Sequence, residues 1–231
     1  MEQRDKNGLT EQEFLAKYSP GDYPRPSVAA DIVIFAVDHL RELAGGIFPQ
    51  GDLKILLIRR GRHPCLGKWA LPGGFVNPDE TVGEAASREL KEETGIESGR
   101  LEQLYTFSDP GRDPRTWVIS CAYMALVDGK DIRPIAGDDT DDARWFQVRY
   151  KTQAPETPGE SLSRLWLLEL SSAETVLTAA VRHESGQKGE EMEITENDGL
   201  AFDHAKIIVH ALCRLRNKDG ETGIGRRGLY G

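Results

Sequence analysis

Glu89, Glu92 and Glu93 stand at i, i+3 and i+4 in a stretch, Thr81 to Thr94, whose spacing predicts an α-helix closed by Gly95. At about 100° per residue the three glutamates share an arc of about 100°. One turn earlier the same arc holds Ala85 and Ala86, with Val82 below them. The inward face of this helix is therefore small and apolar in its first half and triply carboxylate in its second. Three carboxylates on one face repel, and partial burial raises their pKa values. The negative end of the helix dipole adds to the cost. A hard divalent cation with oxygen ligands, magnesium above all, resolves the conflict. A solvated acidic face has the same spacing, but the surroundings favour a site. Gly73-Gly74 puts flexible backbone just ahead of the helix. Arg88 is the only arginine between Arg62 and Arg100, and its fork can hold a carboxylate in one rotamer.

The rest of the chain reads as alternating strands and connections. Thr10 and Glu13 have the form of a capping box, so Glu11 to Tyr18 is expected to be a short helix. The proline-rich stretch Ser19 to Ser27 leads into Val28 to Val37, an apolar, β-branched run expected of a strand covered on both faces. Lys54 to Arg59 is the next strand, with Asp38 to Asp52 as a surface excursion and Leu71 to Val76 as a glycine turn. Leu101 to Phe107, Trp117 to Val127 and a short Arg144 to Val148 read as strands. Leu165 to Leu170 and Thr175 to Arg182 can pair as a hairpin. Gly186 to Asn197 is polar and expected to be mobile, a weak strand at most. Phe202 to Leu215 has helical spacing, and Arg216 to Gly231 reads as a loose tail.

With 39% hydrophobic residues over 231 positions the chain can bury a core. A net charge of −9 argues against a nucleic-acid partner. An anionic small molecule remains compatible with that charge if a cation lies between it and the protein. Cys65, Cys121 and Cys213 are distant and odd in number, so neither a disulfide framework nor a zinc cage is suggested. No run reaches the roughly 18 apolar residues of a membrane span, and the polar N-terminus is not a signal peptide. A cytoplasmic setting follows as the default.

Gly74, five residues, Glu80, seven residues, Arg88-Glu89-Leu90-Lys91-Glu92-Glu93-Thr94-Gly95-Ile96 resembles the Nudix box at every defined position. GKWALPGGFV before it, TFSDPGRDPR after it and LAFDHAKII near the end are similar to the branch that handles ADP-ribose, and to relatives that sense it. The resemblance implies the α/β/α Nudix sandwich with a mixed β-sheet. It implies magnesium, with manganese able to substitute, on Glu89, Glu92 and Glu93, with Gly74 adding a backbone carbonyl. Glu80 and Arg88 support that helix, and Arg88 joins the three glutamates in the catalytic set. The general base could come from the box or from Asp138, Asp139, Asp141 or Asp142, where a plain acidic turn is an equal reading.

Outside the box, the proline-stiffened loop Ser108 to Arg115 offers Arg112 and Arg115 to the substrate; local pairing with Asp109 and Asp113 is the alternative. One of Arg59 and Arg60 should face the diphosphate, since strand alternation forbids both. Trp69 could stack on a base or anchor packing. His204 is expected to be a hydrogen-bonded structural histidine, and His63 a loop residue. The implied reaction is hydrolysis of ADP-ribose to AMP and ribose 5-phosphate. The competing readings are an ADP-ribose-sensing transcription regulator and a Nudix enzyme with another nucleotide. A regulator needs a winged helix, and only fifteen residues follow Arg216. Residues 1–27 are expected as a helix and arm, 28–216 as the Nudix domain and 217–231 as the tail, with a homodimer formed through the arm.

Overall fold

The computed structural model describes residues 3–37, 53–95, 101–128, 140–153, 162–186 and 189–221. The excursion expected over 38–52, together with Asp138, Asp139 and Ile96, lies outside them. Helix α1 (Glu11–Lys17) starts from the expected capping box: the Thr10 hydroxyl accepts from the Glu13 N–H, and Glu13 accepts from the Thr10 N–H. It buries none of its residues.

Ten strands form one mixed sheet: β1 (Ser27–Val37), β2 (Leu53–Arg60), β3 (Trp69–Ala70), β4 (Gly73–Phe75), β5 (Glu102–Phe107), β6 (Val118–Asp128), β7 (Thr140–Gln153), β8 (Leu162–Ser171), β9 (Val176–Gly186) and β10 (Gly189–Asp198). The order is β10-β9-β8-β7-β2-β1-β6-β5, with β3 on β2 and β4 on β1. Strand β1 runs parallel to β6 and antiparallel to β2 and β4. Its alternation divides the core. Ile32, Ile34 and Ala36 meet Ala85, Ala86 and Leu90 of α2 (Val82–Thr94) on one face. Val33, Phe35 and Val37 meet Ile207, Ile208 and Leu212 of α3 (His204–Glu221) on the other. Each of the Val, Ile, Leu and Phe side chains among them contributes roughly 1.5–3 kcal/mol by leaving water. This is the helix–sheet–helix sandwich that the apolar run at Val28 to Val37 demands.

Several elements differ from the sequence reading. The glycine turn at Leu71 to Val76 holds the short strand β4, with β3 just ahead of it; Gly73–Phe75 edge onto β1, and Trp69 and Ala70 onto β2. Strand β7 extends far beyond Arg144 to Val148 because it serves two neighbours, β2 with its first half and β8 with its second. From Gly189 to Asn197 the stretch expected to be mobile is strand: β10 pairs along β9. Its Met192 and Ile194 pack on the core, while its polar residues suit an outer strand. Helix α3 continues to Glu221, five residues into the expected tail. No helix among the described residues is long and apolar enough to cross a membrane.

Candidate active site

The site grows from α2 and the strand ahead of it. Thr81 caps α2 with its own capping box to Glu84, and Gly95 ends the helix in the left-handed conformation at φ 71°. This fixes the rotation that turns Ala85 and Ala86 into the core and sets Glu89 and Glu93 at its edge, both largely buried. Arg88 braces them. Its Nε and Nη2 donate to the two oxygens of Glu80 at 3.0 and 2.8 Å, and its Nη1 donates to Glu89 at 2.7 Å and Glu92 at 3.2 Å. Nη2 also reaches the Phe75 carbonyl at 3.3 Å, tying the helix to β4. The Arg88 guanidinium, with help from the Asn77 N–H, holds the Glu80 carboxyl down to about 2.

The other glutamates go the opposite way. Burial, and then the charges of Glu89 and Glu92, push Glu93 up to about 7. Burial also raises Glu89, against the pull of Arg88. One Glu93 oxygen, Oε2, is buried with no hydrogen-bond partner. Opposite Glu89 lies Gly74, where a Cβ would stand 2.1 Å from Glu89 Oε1, so a side chain there would displace the carboxylate from its place. An orphaned oxygen, a second buried carboxylate and a backbone without a side chain suit a hard cation. Among the described residues no three His, Cys, Asp or Glu side chains already converge as a cage. Arg88 draws Glu89 and Glu92 to itself, and the Glu92 side chain is 58% exposed.

Glu93 opens on a cavity of about 340 Å³ whose walls include Gly73, Gly74, Phe75, Arg60, Arg62, His63, Arg112, Arg115, Phe202, His204 and Asp31. Alternation on β2 settles the arginine pair: Arg60 lines the cavity, whereas Arg59 bonds the Gly67 carbonyl and does not. Arg60 lies over the Phe202 ring at 4.9 Å, and Arg115 lies between Phe75 at 5.1 Å and Phe202 at 5.8 Å. Arg115 pairs with Asp113 at 2.7 Å, as the local alternative had it, yet its side chain stays 43% exposed in the cavity wall.

Arg112 also borders the cavity, but its protein partner is not one the sequence suggested. Its side chain is only 5% exposed, and it forks onto Asp203 at 2.9 and 2.7 Å, not onto Asp109 or Asp113. Its Nε and one Nη2 hydrogen are thus engaged inside the protein, although the residue still borders the cavity. Trp69 is a packing anchor: it is buried, edge-on to Phe146 at 4.8 Å, and does not border the cavity, so no base can stack on it there. His204 is structural as expected, its Nδ1 accepting from the Leu71 N–H at 2.8 Å. Burial lowers its pKa, with Asp31 and Asp203 pulling the other way. Of the acidic-loop residues described, Asp142 is paired with Arg144 at 2.6 Å, and neither it nor Asp141 borders the cavity.

Asp31, Phe75, Phe202 and Asp203 were not singled out from sequence, and His63, read there as a loop residue, also lines the cavity. Asp31 carried a signal, a lone charge inside the apolar run VAADIVIFAV. It accepts from the Ser120 hydroxyl and lies 3.7 Å from Arg112. Phe75 and Phe202 are far apart in the sequence, and only the fold brings their rings to the cavity.

A glycine cradle, an arginine-braced glutamate helix and a cationic cavity together define a recognisable class. Residues 40–164 match the NUDIX domain model, more than half of the chain. The chain belongs to the NUDIX family. It is 43% identical over 220 residues to the ADPR responsive transcriptional repressor NtrR of Acinetobacter baylyi, covering 94% of this chain and 66% of that protein. It is 41% identical over 126 residues to an ADP-ribose pyrophosphatase of Methanocaldococcus jannaschii, covering 54% of this chain and 64% of that one. A MutT/nudix family protein of Enterococcus faecalis superposes with a TM-score of 0.64 at 32% identity, over 90% of this chain and 70% of that chain. The chain thus spans just under two-thirds of the length of these two curated relatives.

Proposed function

We propose that this chain hydrolyses the diphosphate bond of ADP-ribose to AMP and ribose 5-phosphate, with magnesium held by Glu89, Glu92, Glu93 and the Gly74 carbonyl. The observation that carries it is the buried, unpartnered Glu93 oxygen beside an arginine-lined cavity. Bound magnesium, or manganese in its place, supplies charge neutralisation and acidifies a water for in-line attack on phosphorus. The chain's own residues do the rest. Arg88 holds Glu89 and Glu92 against mutual repulsion, and Arg60 and Arg115 bind the anionic diphosphate from the cavity wall. The likeness to the archaeal ADP-ribose pyrophosphatase supports the choice of substrate.

The test is release of the corresponding nucleoside monophosphate from a panel of ADP-ribose, nucleoside triphosphates, dinucleoside polyphosphates and sugar nucleotides, with magnesium or manganese. ADP-ribose should be the preferred substrate, and absence of hydrolysis across the panel sinks the enzyme reading. A second reading has its own observation. The repressor aligns over nearly the whole of this chain, so the fold could sense ADP-ribose for a DNA-binding partner segment. Tight ADP-ribose binding without turnover would favour it. We further place the protein in the cytoplasm, as a homodimer, with no membrane and no direct nucleic-acid contact. Support for the dimer comes from the N-terminal arm, where Phe14, Leu15, Tyr18 and Tyr23 are exposed.

A further inference from the structure

Three successive residues ahead of and opening α3 each grip a different part of the site. The Phe202 ring lies under Arg60 and beside Arg115. Asp203 takes the bidentate fork of Arg112. His204 accepts the N–H of Leu71, two residues before Gly73. The grip is reinforced on both sides. Trp69 donates to the Gly199 carbonyl and accepts from the Ala201 N–H, while Lys206 binds Asp109 at 2.7 Å. Phe202 is held at φ 48°, the left-handed region that a non-glycine residue occupies only when its surroundings demand it. Its ring keeps its place among the guanidinium groups despite that conformation.

From this we infer that Phe202-Asp203-His204 is a positioning element: it fixes the arginine loop and the glycine turn relative to each other, and so sets Arg115 against the cavity. Arg112 belongs to this element and acts on the ligand through Arg115. The reasoning is geometric. Arg112 and Arg115 share one short loop, and a buried bidentate pair fixes both the distance and the plane of its guanidinium. A loop anchored at Arg112 and Asp109 leaves Arg115 few positions, and Asp113 and Phe75 select among them. The turn is fixed separately, through the His204 ring. The inference rests on the proposal that the cavity receives ADP-ribose.

The experiment uses the full chain and two readouts. Amide hydrogen exchange reads the element without any ligand. Asp203→Asn should speed exchange of the Arg112 and Arg115 amides about tenfold and leave Leu71 protected. His204→Ala should do the reverse, and His204→Gln, whose carbonyl can accept the same N–H, should restore Leu71. Calorimetry then reads ADP-ribose affinity. Asp203→Asn and Arg115→Ala should each weaken it about tenfold, and the double variant should be no weaker than Arg115→Ala alone. Effects that multiply, or an Asp203→Asn protein indistinguishable from wild type in both readouts, overturn the inference. Should Asp203→Asn fail to fold, Phe202→Ala, which strands no buried charge, is combined with Arg115→Ala under the same criterion. A wild-type chain that neither binds nor cleaves ADP-ribose refutes the substrate reading alone, because the exchange pattern still decides the positioning role.

Discussion

Arg88 grips Glu80 with two parallel hydrogen bonds, at 3.0 and 2.8 Å, across eight residues of sequence. The pair fastens the middle of α2 to the turn that precedes it. The remaining guanidinium nitrogen is left for Glu89 and Glu92, so one side chain both anchors the helix and sets the rotamers of two acidic residues. Lysine has the charge but not the fork. Arg88→Lys should therefore fold and lose roughly 10- to 100-fold in magnesium affinity, the usual cost of removing a group that orients metal ligands. Isothermal titration with magnesium alone checks it. Unchanged affinity would make Arg88 a structural residue.

Glu93 is where the metal assignment is most exposed to refutation. Glu93→Gln keeps the shape of the side chain and removes the charge. Turnover should fall roughly a thousandfold, with the circular dichroism spectrum unchanged, because an amide is a poor magnesium ligand. A variant turning over near the wild-type rate would remove Glu93 from the ligand set.

The sequence was most informative where geometry is local. The helical arc of Glu89, Glu92 and Glu93, the Thr10 capping box and the Gly95 cap all depend on neighbours a turn away, and all three features are present. The two-sided burial of β1 followed from its apolar run alone. What escaped depends on distant partners. The Arg112 fork was missed because its partner, Asp203, lies 91 positions further along. Strand β10 looked loose because its partner β9 lends it a pairing edge that polarity conceals. Phe202 had the pattern of a helix residue, and its left-handed backbone, outside α3, was not legible.

Acidity gives the metal-free protein a pH dependence of known sign. The Glu93 carboxyl is raised from 4.5 to about 7, chiefly by burial. Between those values the folded chain keeps a proton that the unfolded chain releases. The stability from this group is therefore fully present below about pH 4.5 and is lost as pH rises through about 7. Neighbouring groups, including buried His204, add their own slopes, so the difference between wild type and Glu93→Gln is what isolates it. Wild-type Tm without metal should fall more than that of Glu93→Gln from about pH 5 to about pH 8. Parallel curves would contradict the shift.

Assembly is tested through α1. A helix that buries none of its residues but carries Phe14, Leu15 and Tyr18 on exposed positions leaves apolar surface in water. Light scattering should give twice the 25.7 kDa chain mass, and Phe14→Glu with Leu15→Glu should return it to the monomer. A wild-type monomer at every concentration refutes the dimer.

The two loop arginines should now behave differently, although sequence treated them alike. Arg115 is solvent-accessible in the cavity wall and keeps donors to spare beyond Asp113. Arg115→Ala should cost on the order of 2–3 kcal/mol in kcat/KM, or roughly 30- to 150-fold, through a lost charged hydrogen bond. Magnesium affinity without substrate should be unaffected. Arg112 is buried, and Arg112→Ala strands the Asp203 carboxylate without its fork. Its main effect should be on stability, about 3–5 kcal/mol for a broken buried pair, read as a lower Tm in the absence of any ligand. The substrate pattern then separates roles within Arg115. A large loss for ADP-ribose with a small loss for a nucleoside triphosphate means that it reads the terminal ribose. Equal losses on both mean that it serves the phosphates alone, and no loss on either leaves it a partner of Asp113 and nothing more.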